Sequence, residues 1–294
     1  MLTKEEFHSL LSAGPLILDG ATGSNLMKEG MPRGCCLEEW VLANTEVLVA
    51  LQRRYAAAGS RILYAPTFQA QPLALEKVGL NRQAEAVNAH LVSLTRSVSP
   101  DILVAGNLTT LAAFADTWDE GNFDLLVSNY RRQIRGLIDG GADLLAAETL
   151  LYPIEAEAIL TAAELEGAGA AMYTFTMQPD GSFFSGREAA PVLEELEDAG
   201  AAAVGFNCVA AGNLTPGLVS KLRRHVKGPL VCKPNAGDPV VGEDGLAHYP
   251  MGPEEFAGTL MDRVKAGASI LGGCWGTTPE HIASAAKALR PTLW

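Results

Sequence analysis

Four segments of the chain repeat one local pattern, in which small residues surround a glycine and a short apolar run follows. The pattern occurs in AAAGSRILYA (56–65), DGGADLLAAE (139–148), DAGAAAVGFN (198–207) and KAGASILGGC (265–274). A glycine directly after a helix adopts the left-handed cap conformation at little steric cost. The apolar run after it is too short for a helix and indicates a buried strand. Each copy therefore predicts a helix end, a tight turn and a buried parallel strand.

The gaps between the copies are long enough for further strand–helix units, and filling them gives eight predicted strands. These are 16–20, 61–66, 102–107, 144–149, 170–176, 203–208, 229–235 and 270–275. They are apolar along nearly their whole length, as expected for strands that are covered on both faces. Eight alternating units in 294 residues favour a (β/α)8 TIM barrel over an open doubly wound sheet. No linker-like segment divides the chain, so we predict one domain over residues 1–294.

The composition narrows the class of protein. The chain is 48% hydrophobic, which is enough for a large buried core and excludes general disorder. Its net charge of −12 argues against nucleic acid or an anionic membrane as the main partner. The opening MLTKEEFHSLLSAG is too polar for a secretory signal, and no apolar run approaches the roughly 18 residues of a membrane-spanning helix. The sequence therefore predicts a soluble, cytoplasmic protein.

Polar and aromatic residues collect where the predicted strands end, which in a (β/α)8 barrel is the catalytic face. These strand-end residues are Asp19, Thr67, Phe68, Asn107, Glu148, Asn207, Cys208, Lys233, Asn235, Cys274 and Trp275. Strand ends lie near the surface and are often polar for that reason alone. Surface position does not require two cysteines or an acid within the apolar segment AAET, so we predict that these residues converge on one site.

The chemistry of that site depends on the roles of the five cysteines, which are Cys35, Cys36, Cys208, Cys232 and Cys274. In a large acidic chain of the intracellular type they do not indicate a disulfide framework. A free cysteine is most often a small core residue, but two of these five end barrel strands, where thiolates can ligate a catalytic zinc. No CxxC pair is present, so core, metal and reactive-thiol roles all stay open on spacing alone.

Asp19 and Glu148 form a second group of candidates. Carboxylates at the barrel mouth can bind an ammonium group or act as acid and base, although a solvated or helix-capping acid is the simpler interpretation. The turn after Asp19, residues 20–24, can expose backbone N–H groups that bind a carboxylate or phosphate. An anion site facing a pair of acids is the arrangement expected for a zwitterionic amino acid.

Six ordered motifs give the chain a family resemblance. They are DGATGSNL (19–26), TF (67–68), AAET (146–149), GFNC (205–208), PNAG (234–237) and GGCWGTTPEHI (272–282). In this order they resemble the homocysteine S-methyltransferase family, which includes betaine–homocysteine methyltransferase and the N-terminal module of cobalamin-dependent methionine synthase. The resemblance implies a (β/α)8 barrel that transfers a methyl group to the thiol of homocysteine, forming methionine, with zinc at its mouth.

The resemblance also implies roles for individual residues. Asp19 and Glu148 would hold the amino group of homocysteine, and backbone N–H groups around Ala21 and Thr22 would receive its carboxylate. Further substrate contacts are expected within the matching motifs, at Thr67, Phe68 and Asn207.

The last motif departs from the family pattern. The family pattern reads GGCC there, and the resemblance implies that both of these cysteines bind zinc together with the one that matches Cys208. This chain instead has Cys274 followed by Trp275. Losing a ligand weakens a metal site by more than the roughly 10–100-fold that outer-shell changes cost. Three alternatives follow: a substitute ligand retains zinc, or zinc is lost and a different small molecule or methyl acceptor binds, or the barrel is a non-catalytic binding module.

Two further features bear on these alternatives. Cys35 or Cys36 is the expected substitute ligand, because the loop after the first strand lies on the catalytic face, while Cys232 is expected deeper in its strand. Relatives tend to have an aromatic residue before PNAG, and Lys233 stands there instead. Lys233 could supply a positive charge or a desolvated amine, although a lone lysine is more often solvated or ion-paired.

The sequence does not identify the methyl donor. S-methylmethionine, betaine and a methylated corrinoid protein, itself supplied by methyltetrahydrofolate, all stay open. The chain has no room for a folate or cobalamin domain of its own, so a corrinoid route predicts a separate corrinoid protein as partner.

Overall fold

The computed structural model describes residues 1–212, 216–242 and 247–289. Its strands are β1 (Leu16–Ile17), β2 (Ile62–Tyr64), β3 (Leu103–Thr109), β4 (Leu144–Leu150), β5 (Ala171–Phe175), β6 (Ala203–Ala210), β7 (Leu230–Asn235), β8 (Val240–Val241), β9 (Ala247–His248) and β10 (Ile270–Leu271). Its helices are α1 (Lys4–Ser9), α2 (Gly23–Lys28), α3 (Leu37–Ala43), α4 (Thr45–Ala58), α5 (Pro72–Leu75), α6 (Ala84–Arg96), α7 (Phe123–Asp139), α8 (Pro153–Leu165), α9 (Ala189–Asp198), α10 (Pro216–His225), α11 (Pro253–Lys265) and α12 (Pro279–Leu289).

Eight parallel strands form one sheet that closes on itself. Their order is β1–β10–β7–β6–β5–β4–β3–β2, and a parallel bridge between Leu18 and Ile62 joins the two ends. At least one helix separates successive barrel strands along the chain. The predicted (β/α)8 barrel is therefore confirmed, with all eight strands where the sequence predicts them, and closure of the sheet excludes the doubly wound alternative.

Three barrel strands, β1, β2 and β10, are shorter than the sequence predicts because the chain leaves the sheet early at the mouth. The backbone of Gly20 shows why after β1: an added Cβ there would lie 2.7 Å from both Thr277 Oγ1 and Tyr55 Oη. The chain packs this closely against the segment that precedes α12. The residues that follow β1 and β10 therefore lie in loops rather than in strands.

The barrel interior is filled below its mouth by apolar side chains. These include Leu16, Leu18, Ile62, Ala105, Leu144, Ala146, Met172, Val231 and Ile270. At the amino end of the strands, Phe7 of α1 joins this cluster. Leu2 N–H donates to the carbonyl of Asp143, and Ala170 N–H donates to the carbonyl of Leu2, both at 2.7 Å. The N-terminal segment thus closes the amino end, and the carboxyl end is left for the site.

The helices cover the outside of the barrel. The apolar faces of α7 and α9 are buried against the strands, as their amphipathic sequences predict. The strands β8 and β9 form an exposed antiparallel pair outside the barrel. Within the described ranges, no helix combines the length and apolarity needed to cross a membrane.

Candidate functional site

A cavity of about 440 Å³ opens at the carboxyl end of the barrel. The predicted site residues that line it are Asp19, Ala21, Thr22, Cys35, Phe68, Asn107, Glu148, Lys233, Cys274 and Trp275. Thr67, Asn207 and Asn235 are buried outside this lining, and the half-buried Cys208 also lies outside it. Seven barrel strands therefore bring their terminal residues to one place.

Lys233 and Glu148 form a buried ion pair at the floor of the cavity. Lys233 Nζ lies 2.9 Å from Glu148 Oε2, and Asn107 Nδ2 donates to the other oxygen, Oε1, at 2.9 Å. The ammonium also lies 4.3 Å from the centroid of the Tyr64 ring, within cation–π range. Lys233 is 4% exposed and Glu148 is 7% exposed. Of the roles open to Lys233 from sequence, the structure thus excludes a solvated one.

Asp19 completes the charged cluster of the floor. Tyr64 N–H donates to Asp19 Oδ2 at 2.8 Å, while Oδ1 is buried and has no hydrogen-bond partner among the described residues. Burial raises the pKa of Asp19 from its ordinary 3.8 to about 7, against the opposing effect of Lys233. Burial acts to lower the pKa of Lys233, but Glu148 and Asp19 more than offset it, so that pKa lies well above its ordinary range. The lysine is therefore charged at neutral pH, and burial favours the protonated form of Asp19.

The turn after Asp19 is tied to the segment before α12. Ala21 N–H donates to Thr277 Oγ1 at 3.0 Å, and Asn25 Nδ2 donates to the carbonyls of Ala21 and Thr277. The Ala21 amide, which the family resemblance assigns to a substrate carboxylate, is thus engaged within the protein. Thr22, at the start of α2, lines the cavity beside it.

Thr67 and Asn207 contact the backbone of residues that line the cavity. The Thr67 hydroxyl donates to the Asn107 carbonyl at 2.9 Å and accepts from the Asn107 N–H at 3.0 Å. Asn207 Oδ1 accepts from Thr149 N–H, and its Nδ2 donates to Thr149 Oγ1, both at 2.7 Å. Thr149 directly follows Glu148 and has a left-handed φ of 59°. The Asn207 clamp therefore holds an unfavourable backbone conformation next to the ion pair.

Cys208 and Cys274 lie side by side at the site. Their thiols share a hydrogen bond, which raises the pKa of Cys208 and lowers that of Cys274. Cys208 has a left-handed φ of 57° where the β6–β7 register shifts. Asn207 Nδ2 lies 4.0 Å from Cys274 Sγ. The irregularity in β6 takes Cys208 out of the regular strand alternation and beside its partner.

The three other cysteines are placed differently. Cys35 is exposed at the rim, and its thiol donates to the Pro32 carbonyl at 3.0 Å. The Cys36 thiol donates to Glu38 Oε2 at 3.4 Å, and burial, with the Glu38 charge, raises the pKa of Cys36 to about 11. Cys232 is fully buried in the core between barrel and helices.

The side chains available here as metal ligands can be compared with those of a catalytic zinc site, which needs three ligands from the protein. Cys208 and Cys274 supply two, and the half-exposed indole of Trp275 offers only an N–H donor. Across residues 1–212, 216–242 and 247–289, no group of three or more His, Cys, Asp or Glu side chains could hold a metal. The residues that the structure describes therefore do not fit a three-ligand zinc site.

Among the lining residues that were not predicted from sequence, Glu38 and Tyr64 bear on the charges of the site. Glu38 is 1% exposed, its Oε1 accepts from Gln69 N–H at 2.6 Å, and burial raises its pKa. Tyr64 presents its ring to the Lys233 ammonium. In sequence, Glu38 is one of two acids in an ordinary first helical turn and Tyr64 belongs to an apolar strand. Neither carries a local signal of function.

Comparisons with known proteins agree with this architecture. A profile of the homocysteine S-methyltransferase family matches residues 16–289. The methionine synthases of Mycobacterium leprae and Mycobacterium tuberculosis are 27% and 28% identical over 93% and 95% of the chain, which spans about a quarter of their length. The metallated form of the homocysteine methyltransferase MmuM from Escherichia coli superimposes with a TM-score of 0.81 at 27% identity, covering 96% of this chain and 99% of that one. The chain belongs to the homocysteine S-methyltransferase family of enzymes.

Proposed function

We propose that the protein transfers a methyl group to the thiol sulfur of a small thiol acid of the homocysteine type. Family membership supports this activity, since the homocysteine methyltransferase MmuM from Escherichia coli matches over 99% of its length. The observation that carries the proposal is the cavity itself. It has a thiol pair beside it and a charged cluster of Asp19, Glu148 and Lys233 at its floor.

Such a cavity favours methyl transfer by holding the acceptor sulfur and the donor methyl group in line. Binding both reactants replaces a bimolecular encounter by a reaction between positioned groups. Met27, Met31 and Phe68 line the same cavity and give it an apolar wall. In the transfer, the sulfur lone pair forms a bond to the methyl carbon as the bond to the leaving group of the donor breaks. The thiol proton passes to solvent.

Formation of an S-methyl product tests the proposal directly. The protein is incubated with homocysteine or 4-sulfanylbutanoate as acceptor and with S-methylmethionine, betaine or a methylated corrinoid protein as donor. We expect one donor to give the S-methyl product, detected by mass spectrometry above the rate of the same mixture without protein. Absence of product with every donor and both acceptors would contradict the proposal.

Zinc can lower the pKa of a bound thiol where three ligands hold it. Replacement of Trp275 by cysteine adds a third thiol next to Cys208 and Cys274. We therefore expect Trp275→Cys to raise zinc affinity by roughly 10–100-fold or more, measured by competition with a chromophoric chelator. Trp275→Ser is the matched control, because it removes the same indole without adding a ligand. Equal zinc affinity in the two variants would show that residue 275 does not reach the thiol pair.

Cys35 lines the cavity together with Cys274, but its thiol donates to the Pro32 carbonyl at 3.0 Å and is not placed as a third ligand. We therefore expect Cys35→Ser to leave zinc occupancy unchanged. Cys36→Ser is its neighbouring control, since the Cys36 thiol is directed to Glu38. A loss of zinc in Cys35→Ser alone would show that the rim loop supplies a third thiolate.

A further inference from the structure

Lys233 supplies the positive charge of a cavity that is otherwise acidic. Of the described residues that line it, Asp19, Glu38 and Glu148 are acids, and Lys233 alone is basic. Lys233 is 4% exposed, and its ammonium lies 2.9 Å from Glu148 Oε2. A carboxylate that enters the cavity is repelled by the acids unless it is placed against the lysine. Burial strengthens both the repulsion and the attraction, because water screens the charges less.

The ammonium of Lys233 has hydrogen-bonding capacity left for a ligand. It carries three N–H donors, and Glu148 Oε2 is its one hydrogen-bond acceptor among the described residues. The Tyr64 ring, whose centroid lies 4.3 Å from Nζ, contacts the ammonium through a cation–π interaction. Because Lys233 lines the cavity, its remaining N–H groups are available to a ligand bound there.

An acceptor for a ligand ammonium lies in the same cluster. Asp19 lines the cavity, and its Oδ1 has no hydrogen-bond partner among the described residues. Both oxygens of Glu148 are already engaged, by Lys233 and by Asn107. The floor therefore presents an acceptor for a cation at Asp19 and donors for an anion at Lys233.

One of the amides expected to receive a substrate carboxylate is engaged within the protein. The Ala21 N–H donates to Thr277 Oγ1 at 3.0 Å. The Thr277 hydroxyl donates its own proton to the Cys274 carbonyl at 2.7 Å, so it is oriented to accept from Ala21. A substrate carboxylate therefore needs a donor elsewhere on the cavity wall.

From this arrangement we propose that Lys233 binds the α-carboxylate of an amino-acid methyl acceptor whose ammonium group is bound at Asp19. This assignment rests on the proposed function, because it concerns the acceptor of that reaction. In the complex, opposite charges alternate from Glu148 through Lys233, the ligand carboxylate and the ligand ammonium to Asp19. The zwitterion adds no net charge to the cluster, and each buried charge has an opposite charge beside it.

Homocysteine and homocysteinamide test the role of Lys233 by calorimetry. The two ligands share the thiol, the α-amino group and the chain length, and the amide replaces the carboxylate by a neutral group. We expect the wild-type protein to bind homocysteine about tenfold or more tightly than homocysteinamide. In Lys233→Met, we expect the ratio of the two affinities to fall by about tenfold or more, because the cation that distinguishes the two ligands is gone.

Lys233→Arg is the matched control, since it keeps the positive charge, and we expect it to retain most of the wild-type ratio. Lys233→Gln is a second neutral variant, and its side-chain amide can still donate to Glu148, so the test does not depend on Lys233→Met alone. Thermal unfolding verifies that each variant is folded before titration. Every protein is titrated with the same two ligands at one pH, so the ionisation of the free ligands cancels when the ratios are compared.

Two outcomes would overturn the assignment, and they differ from each other. If Lys233→Met and Lys233→Gln weaken homocysteine and homocysteinamide by the same factor, Lys233 only maintains the site, and the proposed function stands without this assignment. If the wild-type protein binds neither ligand and methylates no acceptor, the proposed function fails and the role of Lys233 fails with it.

Discussion

Replacement of Glu148 by alanine is expected to lower the free energy of unfolding by about 3–5 kcal/mol, the usual cost of leaving one member of a buried ion pair without its partner. Lys233 Nζ lies 2.9 Å from Glu148 Oε2, and both side chains are almost fully buried. Without the carboxylate, the almost fully buried ammonium loses its one oxygen partner among the described residues. Urea unfolding at pH 7 measures the change.

A double-mutant cycle separates the ion pair from the loss of packing. Glu148→Leu combined with Lys233→Met replaces both charges by apolar groups of similar size, which is often close to neutral for buried pairs. The cycle compares wild type, Glu148→Leu, Lys233→Met and the double variant, and we expect the double variant to be more stable than Glu148→Leu by at least about 2 kcal/mol. If the single and double variants unfold at the same urea concentration, the pair is not coupled as the structure indicates.

The second large effect is a pH dependence that originates at Asp19. Its pKa in the folded protein is about 7 because of burial, against an ordinary 3.8. The raised pKa means that the folded protein binds the Asp19 proton more tightly than the unfolded chain does. The resulting stability is complete below pH 4 and is lost as the pH rises to 7, because the folded protein must then bury a charged carboxylate. The difference of about three pKa units corresponds to about 4 kcal/mol.

Asp19→Asn provides the comparison for this effect, because the amide keeps the shape of the carboxyl group and cannot ionise. Other buried acids, such as Glu38 and Glu155, have raised pKa values in both proteins, so the difference between the two pH profiles isolates residue 19. We expect wild type to lose about 4 kcal/mol relative to the variant between pH 4 and pH 7. Parallel profiles would mean that Asp19 is ionised at low pH in the folded protein.

The fold could be predicted from sequence because its signals are local and repeated. A glycine cap followed by a short apolar run occurs four times, and each copy ends in a barrel strand. The ends of β1, β2 and β10 were predicted less well. They depend on where the chain leaves the sheet to pack against a distant segment, as Gly20 does against Thr277. A local pattern does not contain that contact.

The candidate site was predicted only in part, because residue types at strand ends are local signals whereas the contacts between distant residues are not. The position of Lys233 at a strand end could be read directly, but not its pairing with Glu148, which lies 85 residues earlier in the chain. The Ala21 amide shows a further limit, because its partner Thr277 is 256 residues away. Glu38 was missed because burial, rather than residue type, distinguishes it from the neighbouring Glu39.

The closed amino end of the barrel has a kinetic consequence. With Phe7 and the Leu2 backbone sealing that end, the mouth that holds Cys274 and Trp275 is the way into the cavity. Under the proposed function, an acceptor bound at the floor would have to arrive before a donor bound nearer the mouth. We therefore expect an ordered two-substrate reaction, in which the deeper product leaves last.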